Sequence, residues 1–374
     1  ELPFSLNMKR LREFGLLKGL SKIIIFNESN QAWVSGLRIA GSALIIDLRD
    51  SVVRYYTPIL EFWRAYDMLG ESLGSEISYD VLGYYRYKID LPEDIKVFNG
   101  GLKDAIKSEV GDLGEKSCGV DNIDIDSDLR DLLRKCVDLR EDIASLRSIK
   151  NNIEISLIKT ASEISMKALR RIIEEGVIGR SEREIAGRFS YLIRLYGADG
   201  EAFPSIIAVN ENASKPHYQP SSRVVSLGDY ILVDAGAKVR EYNSDMTRMI
   251  IYRNSEDYKH VLEAVIESVD AALEKISPGA KASDIDKAAR EVLERRGYSK
   301  YFIHSTGHGV GVDVHEKPLL SLSSSDSIEE GMIVTIEPGI YMRNKIGVRV
   351  EELVLVSSRG PRILTEISRI LEYF

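Results

Sequence analysis

The second half of the chain repeats one order of elements, and that repeat narrows the fold more than any other feature. Leu157, Ala161, Ile164, Ala168 and Ile172 recur at spacings of three and four, one face of a helix. Ser181 with Glu184 three residues on is a capping-box signature for a second helix, which Gly197 ends. Apolar, strand-like segments follow at 205–209 and 230–233. The order then recurs. A long helix is predicted over 255–276, broken by Ser277-Pro278-Gly279, and Ser283 with Asp286 starts another that ends near Gly297. Strands are predicted at 332–336 and 352–356. Helix, helix, strands, twice over, predicts a duplicated α+β domain with pseudo-twofold symmetry. The repeat is one of element order, without claimed sequence identity between the halves.

A chain of 374 residues has room for a second domain, and 44% apolar residues suffice for its core. Residues 1–140 mix predicted helices (9–18, 59–69) with apolar strands (22–26, 42–47), which argues for a smaller α/β domain. It has no nucleotide-binding glycine pattern and no catalytic cluster. A linking helix over 127–139 is expected to lead into the second domain, residues 141–374. The net charge of −8 gives no electrostatic case for nucleic acid or an anionic membrane. No run of 18 apolar residues and no signal-peptide pattern is present, so a soluble, cytoplasmic protein is expected. Cys118 and Cys136 match no metal-site spacing, and in that compartment free thiols are expected.

Onto this frame fall five conspicuous side chains: Asp234 in LVDAG, Asp245 in NSDMTR, His308 in STGHGVG, Glu337 in TIEPG and Glu351 in RVEEL. Burying carboxylates uncompensated is costly, so such groups pair or bind cations. An oxygen-rich set with one nitrogen suits Mn²⁺, Co²⁺, Fe²⁺ or Zn²⁺. Asp234 and Asp245 lie 11 apart (245 − 234), with their midpoint between Val239 and Arg240, and would be cross-strand neighbours in a hairpin. Glu337 and Glu351 lie 14 apart (351 − 337), with 343–347 as the expected turn. Each half would thus supply one carboxylate-bearing hairpin, and bridging carboxylates are what a pair of metals about 3.5–4 Å apart requires.

Taken singly, each residue has a plainer explanation: an Asp or Glu near a strand end is usually a cap or a surface charge. His260, among Glu256, Asp257, Lys259 and Glu263, reads as solvent-facing. His304 could serve structure or site, and His217 would pass for a loop residue. Three of the five histidines fall at 304, 308 and 315, among glycines that would let backbone approach a ligand or metal. In an extended strand His308 and His315 would face opposite ways; a bend would bring both to one cavity.

Together these segments resemble the pita-bread metallopeptidases, specifically the branch of Xaa-Pro dipeptidase (prolidase) and Xaa-Pro aminopeptidase. The likeness spans about 146–370 and includes Phe203-Pro204-Ser205, Asp234-Ala235-Gly236, Ser244-Asp245-Met246-Thr247-Arg248, Gly307-His308-Gly309, His315-Glu316, Glu337-Pro338-Gly339 and Arg349-Val350-Glu351. It implies a smaller N-terminal α/β domain before a catalytic pita-bread domain, in a homodimer. It also implies two divalent metal ions, Mn²⁺ or Co²⁺ foremost, with Zn²⁺ or Fe²⁺ as alternatives. Asp234 would chelate one, Asp245 and Glu351 bridge both, and His308 and Glu337 complete the second. A hydroxide between the metals would attack a peptide with proline at its second position. Glu337 would shuttle protons, His217 and His315 would hold the substrate carbonyl, and Arg349 would support the ligands. Leu319 departs from the pattern, because dipeptidases of this branch often carry there an arginine for the substrate carboxylate. Lys317, Arg343 or a partner residue could replace it, or longer peptides could be accepted as by an Xaa-Pro aminopeptidase. A non-catalytic peptide-binding relative, or a metal-free hydrolase of the creatinase type, should have lost ligands that this chain keeps. A methionine aminopeptidase fits poorly with so large an N-terminal domain.

Overall fold

Strands of two to seven residues, most of them apolar, build the first of two units. They are seen in a computed structural model that describes residues 2–85, 90–114, 116–252 and 258–373. The units are Glu1–Arg147 and Ser148–Phe374. In the first, β1 (Lys22–Ile25), β2 (Ala43–Asp47), β3 (Val52–Pro58), β4 (Ser78–Tyr84), β5 (Cys118–Val120) and β6 (Val137–Asp138) form one mixed sheet in the order β4-β3-β2-β1-β5-β6. Its helices are α1 (Pro3–Leu17), α2 (Glu28–Ser35), α3 (Phe62–Leu73), α4 (Leu102–Val110), the single turn α5 (Arg130–Leu133) and α6 (Arg140–Ser148).

Two expectations fail here. The helix expected over 127–139 is only α5, because the chain then extends to add β6 to the sheet edge; α6 is the helix that reaches the unit boundary. Cys118 and Cys136 form a disulfide and are not free thiols. The compartment rule cannot see strand register. Parallel pairing of Gly119 with Val137 carries the two cysteines side by side, with Cα atoms 4.7 Å apart.

The second unit has the duplicated order. α7 (Asn152–Glu174) and α8 (Glu182–Leu195) each start at a capping box, Asn151 with Glu154 and Ser181 with Glu184. Strands β7 (Gly200–Glu201), β8 (Ile206–Val209), β9 (Ile231–Asp234), β10 (Ala237–Val239), β11 (Tyr242–Asn243) and β12 (Thr247–Tyr252) follow. The second pass is α9 (Lys259–Leu273) and α10 (Ala282–Arg295), then β13 (Gly307–Gly309), β14 (Glu316–Leu320), β15 (Ile333–Ile336), β16 (Gly339–Met342), β17 (Ile346–Arg349), β18 (Glu352–Ser357), β19 (Gly360–Ile363) and β20 (Ile370–Tyr373). Of the helix expected from 255, residues 255–257 lie outside the described residues. The N-cap of α10 is Lys281, with no side-chain cap, so Ser283 and Asp286 form no capping box. Asp286 is fully buried and instead accepts hydrogen bonds from the Thr306 amide (2.9 Å) and hydroxyl (2.8 Å).

Each helix pair packs on its own sheet. Residues of α7 and α8 share a core with Ile207, Val209, Ile231 and Val233, beneath the sheet β20-β12-β9-β8. Residues of α9 and α10 share one with Val334, Ile336, Val354 and Val356, beneath β14-β13-β15-β18-β19. No helix among the described residues is long and apolar enough to cross a membrane.

Candidate metal centre

The two carboxylate hairpins are long, and each is interrupted in the middle. In the first, Asp234 pairs with Thr247 and Lys238 with Asn243, so one register runs through β9–β12 and β10–β11. The turn is Arg240-Glu241, both with positive φ (46° and 71°), one residue later than the expected midpoint. Asp245 is therefore not directly opposite Asp234. It sits two residues before Thr247, on the diagonal that strand periodicity turns to the same face. In the second hairpin Ile336 pairs with Glu352 and Gly339 with Arg349, again one register, around a turn with Asn344 at φ 54°. Glu337 and Glu351 face each other in the gap between the two ladders. The Glu351 amide donates to Thr247 O (3.2 Å), which ties the hairpins together at the carboxylates.

His308 comes from β13, where its ring Nδ1 lies 3.1 Å from the Gly309 carbonyl. A carbonyl only accepts, so Nδ1 carries a proton, and Nε2 is the nitrogen turned to the carboxylates. Nε2 lies 3.1 Å from Glu337 Oε1 and 3.9 Å from Asp245 Oδ2. The glycines beside it admit neighbouring backbone: a Cβ at Gly307 would lie 1.9 Å from Thr335 O, and one at Gly309 2.0 Å from Lys317 O. A register shift after His308 supplies the bend, and the His315 ring centroid is 4.3 Å from that of His308.

Ligand atoms of Asp245, His308 and Glu351 lie within 4.8 Å of one another. These three, with Asp234, Glu337, His217, His315 and Arg349, line one cavity of about 970 Å³. Arg349 joins the shell: its guanidinium donates to Asp234 Oδ2 (2.5 Å), Tyr341 Oη (2.6 Å) and Thr247 Oγ1 (3.1 Å). The Thr247 hydroxyl in turn donates a hydrogen bond to Glu351 Oε2 (2.8 Å), and Tyr341 Oη lies 3.0 Å from His304 Nε2. The sequence reading did not single out Thr247 or Tyr341. The signal for Thr247 was its period-two spacing from Asp245. His260 is exposed, as expected.

Burial pushes Asp245 and Glu351 well above the usual carboxylate range, and neighbouring carboxylates push them further. Burial also raises Asp234, against the pull of Arg349. Burial would raise Glu337 too, but the hydrogen bond from His308 brings it down to about 2. His308 is raised: burial opposes its charge, and Glu337 more than offsets that. Burial and the neighbouring His308 lower His315. The set fits a divalent cation on a specific ground. Asp234 Oδ1 is buried with no hydrogen-bond partner among the described residues, an acceptor left without a donor on a residue that lines the same cavity.

Residues 156–358, more than half the chain, match the profile of metallopeptidase family M24. The chain belongs to metallopeptidase family M24. The Xaa-Pro dipeptidase of Pyrococcus furiosus is 41% identical over 228 residues, 61% of this chain and 66% of that protein. That of Pyrococcus horikoshii is 40% identical, with 61% and 65% covered. The aligned part is thus slightly under two thirds of these relatives' length. Among solved structures, an X-Pro aminopeptidase from Thermotoga maritima superposes with TM-score 0.84 at 27% identity, covering 98% of this chain and 99% of that one. The prolidase of Pyrococcus furiosus does so with TM-score 0.78 at 31% identity, covering 96% and 99%. The M24 unit therefore has the pita-bread fold, and an N-terminal domain precedes it in the chain.

Proposed function

We propose that the chain is a dinuclear metal-dependent peptidase that hydrolyses the bond before proline in Xaa-Pro dipeptides or short Xaa-Pro peptides. The carrying observation is the meeting of Asp245, His308 and Glu351 in one cavity beside the unpartnered Asp234 Oδ1. The similarity to proteins named Xaa-Pro dipeptidase supports the substrate class. Asp234, Asp245, His308, Glu337 and Glu351 would hold two divalent cations, and oxygen-rich ligation favours Mn²⁺ or Co²⁺ over a soft-ligand metal. Bound there, the cations would polarise the scissile carbonyl and lower the pKa of a water.

The chain's own groups do the rest. Glu337 takes a proton from the attacking water and delivers it to the departing proline nitrogen as the C–N bond breaks. His217 and His315 donate to the carbonyl oxygen as it becomes an oxyanion. Arg349 fixes the Asp234 carboxylate and, through Thr247, orients Glu351. The bond before proline has no N–H, so a site that works on the carbonyl loses nothing by its absence. We assign the work to residues 141–374, in a homodimer as the resemblance implies, and place the protein in the cytoplasm.

Leu319 lines the cavity, and a second reading, an aminopeptidase acting on longer peptides, follows from its apolar side chain. Lys317 and Arg343 are not among the lining residues described, whereas Lys215 is. The experiment is turnover of Met-Pro, Ala-Pro and an Xaa-Pro-Xaa tripeptide after dialysis and return of Mn²⁺, Co²⁺ or Zn²⁺. Cleavage of none of them with any metal defeats the reading. Cleavage of the tripeptide alone rejects the dipeptidase form.

A further inference from the structure

Glu182 is the first residue of α8, beyond its Ser181 cap, and it is completely buried. No cation pairs with it among the described residues. Its carboxylate is instead saturated by five donors. Oε1 accepts from the Val209 amide (2.9 Å) and Asn212 Nδ2 (3.0 Å). Oε2 accepts from Tyr218 Oη (2.8 Å), the Ser221 amide (2.9 Å) and Ser221 Oγ (2.7 Å). All five come from one segment, 209–221, and they arrive from both of its ends. The main chain adds two more ties, Glu182 N to Arg223 O (2.9 Å) and Arg183 N to Ser221 O (3.1 Å).

That segment carries His217 to the cavity. His217 itself is exposed and makes no described hydrogen bond, so its position is set by the backbone on either side. The far side of the segment is fixed too: the Asn344 amide donates to Ser214 Oγ (3.1 Å), and a Cβ at Gly347 would lie 1.8 Å from Ala213 O. Burying an anion without a counter-ion is expensive, and charge-assisted hydrogen bonds are about twice as strong as neutral ones. A buried carboxylate here gains five such bonds at once and faces the positive end of the α8 dipole. Burial would raise its pKa, but those donors lower it, so it stays ionised.

We propose that Glu182 is a positioning residue: its carboxylate fastens the 209–221 loop and thereby sets the reach of His217 to the substrate carbonyl. This rests on the reading of His217 above. Glu182 lines no part of the cavity described and would not touch substrate.

The test is a double-mutant cycle on the Mn²⁺-loaded protein with Ala-Pro, together with hydrogen exchange. Glu182→Gln puts an amide NH₂ against donors and keeps one acceptor oxygen. We expect kcat/KM to fall about tenfold with His217 present and less than about twofold in the His217→Ala background, since coupled residues are not additive. Additive losses would overturn the proposal, because a general folding defect would act in either background. Exchange should quicken for amides of 209–221 while those of α9 and α10 are unchanged. Unchanged exchange in the loop would overturn the proposal without any turnover assay. If the wild-type chain cleaves no Xaa-Pro peptide, the functional reading falls, and the exchange arm still decides whether Glu182 holds the loop. Should Glu182→Gln fail to fold, Ser221→Ala, which removes one donor and leaves the carboxylate, takes its place and should move both readouts the same way by less.

Discussion

The N-terminal unit and the metal centre of the M24 unit both bury carboxylates, and they balance them in opposite ways. In the first, Glu109 receives Lys22 Nζ at 2.6 Å, Arg54 Nη1 at 3.5 Å and Tyr56 Oη at 2.8 Å. Asp121 receives the Phe26 and Asn27 amides and Asn30 Nδ2, all within 3.0 Å. These groups want for nothing. In the second, four carboxylates share one guanidinium and one imidazole. Arg349 serves Asp234, His308 serves Glu337, and among the described residues Glu351 has only a threonine hydroxyl. Asp245 sits 3.9 Å from the His308 ring, beyond hydrogen-bonding reach. A buried polar network that is complete specifies structure, whereas one short of positive charge is suited to hold a cation.

The comparison can be broken at several points. Glu337→Ala in metal-loaded protein should lower kcat for Ala-Pro by about 10³-fold, the range of a lost general acid–base group; near-normal turnover would remove Glu337 from its role. Glu109→Gln should cost about 3 kcal/mol in denaturant unfolding, because it removes the nearer anion of Lys22 and Arg54 and leaves them Asp47 alone, at 3.8 and 3.7 Å, in a largely buried network. That loss should be the same with and without metal. Asp245→Asn should behave oppositely. In metal-free protein it replaces a carboxyl whose ionisation burial and its neighbours disfavour, so stability should hold or rise by about 1 kcal/mol. Wild type should gain stability from added Mn²⁺ and the variant should gain much less. If Asp245→Asn destabilises the metal-free protein as much as Glu109→Gln does, the contrast between the two units is wrong.

The contrast also explains what could be read before the structure. The helices were visible because apolar periodicity and capping boxes are local, as at Ser181 and Glu184. The five ligand candidates were visible because polar residues in apolar runs are conspicuous. Register was only half legible. The Glu337–Glu351 pairing followed from symmetric spacing about its turn, but the first hairpin turns at Arg240-Glu241, a type of turn with no Asn-Gly signal, and the one-residue difference moved Asp245 off Asp234. The disulfide was missed because it depends on which strands adjoin across 18 residues, which no local signal carries. The purpose of the glycines was misread for the same reason. They make room for Thr335 and Lys317 carbonyls, contacts between strands that only the assembled sheet reveals.

A third kind of carboxylate gives the smallest effect and the sharpest control. Glu175 lies near the surface among arginines: Arg188 at 2.5 Å, Arg171 at 2.9 Å and Arg180 at 3.7 Å. The hydrogen bond from Arg188 leads in holding it down to about 2. An unfolded Glu titrates near pH 4.3. A group whose folded pKa lies below its unfolded one adds stability that is fully present above the unfolded value and is lost as pH falls through the folded one. Wild type and Glu175→Gln should therefore differ by a constant amount above about pH 5 and converge between about pH 4.3 and pH 2. Because water and salt reach these side chains, the difference should be small and should shrink in 1 M NaCl. The cost of Glu109→Gln should resist the same salt, since its partners are largely shielded from solvent. Equal salt sensitivity at the two sites would show that burial does not separate them, and that the N-terminal network is no more than a surface cluster.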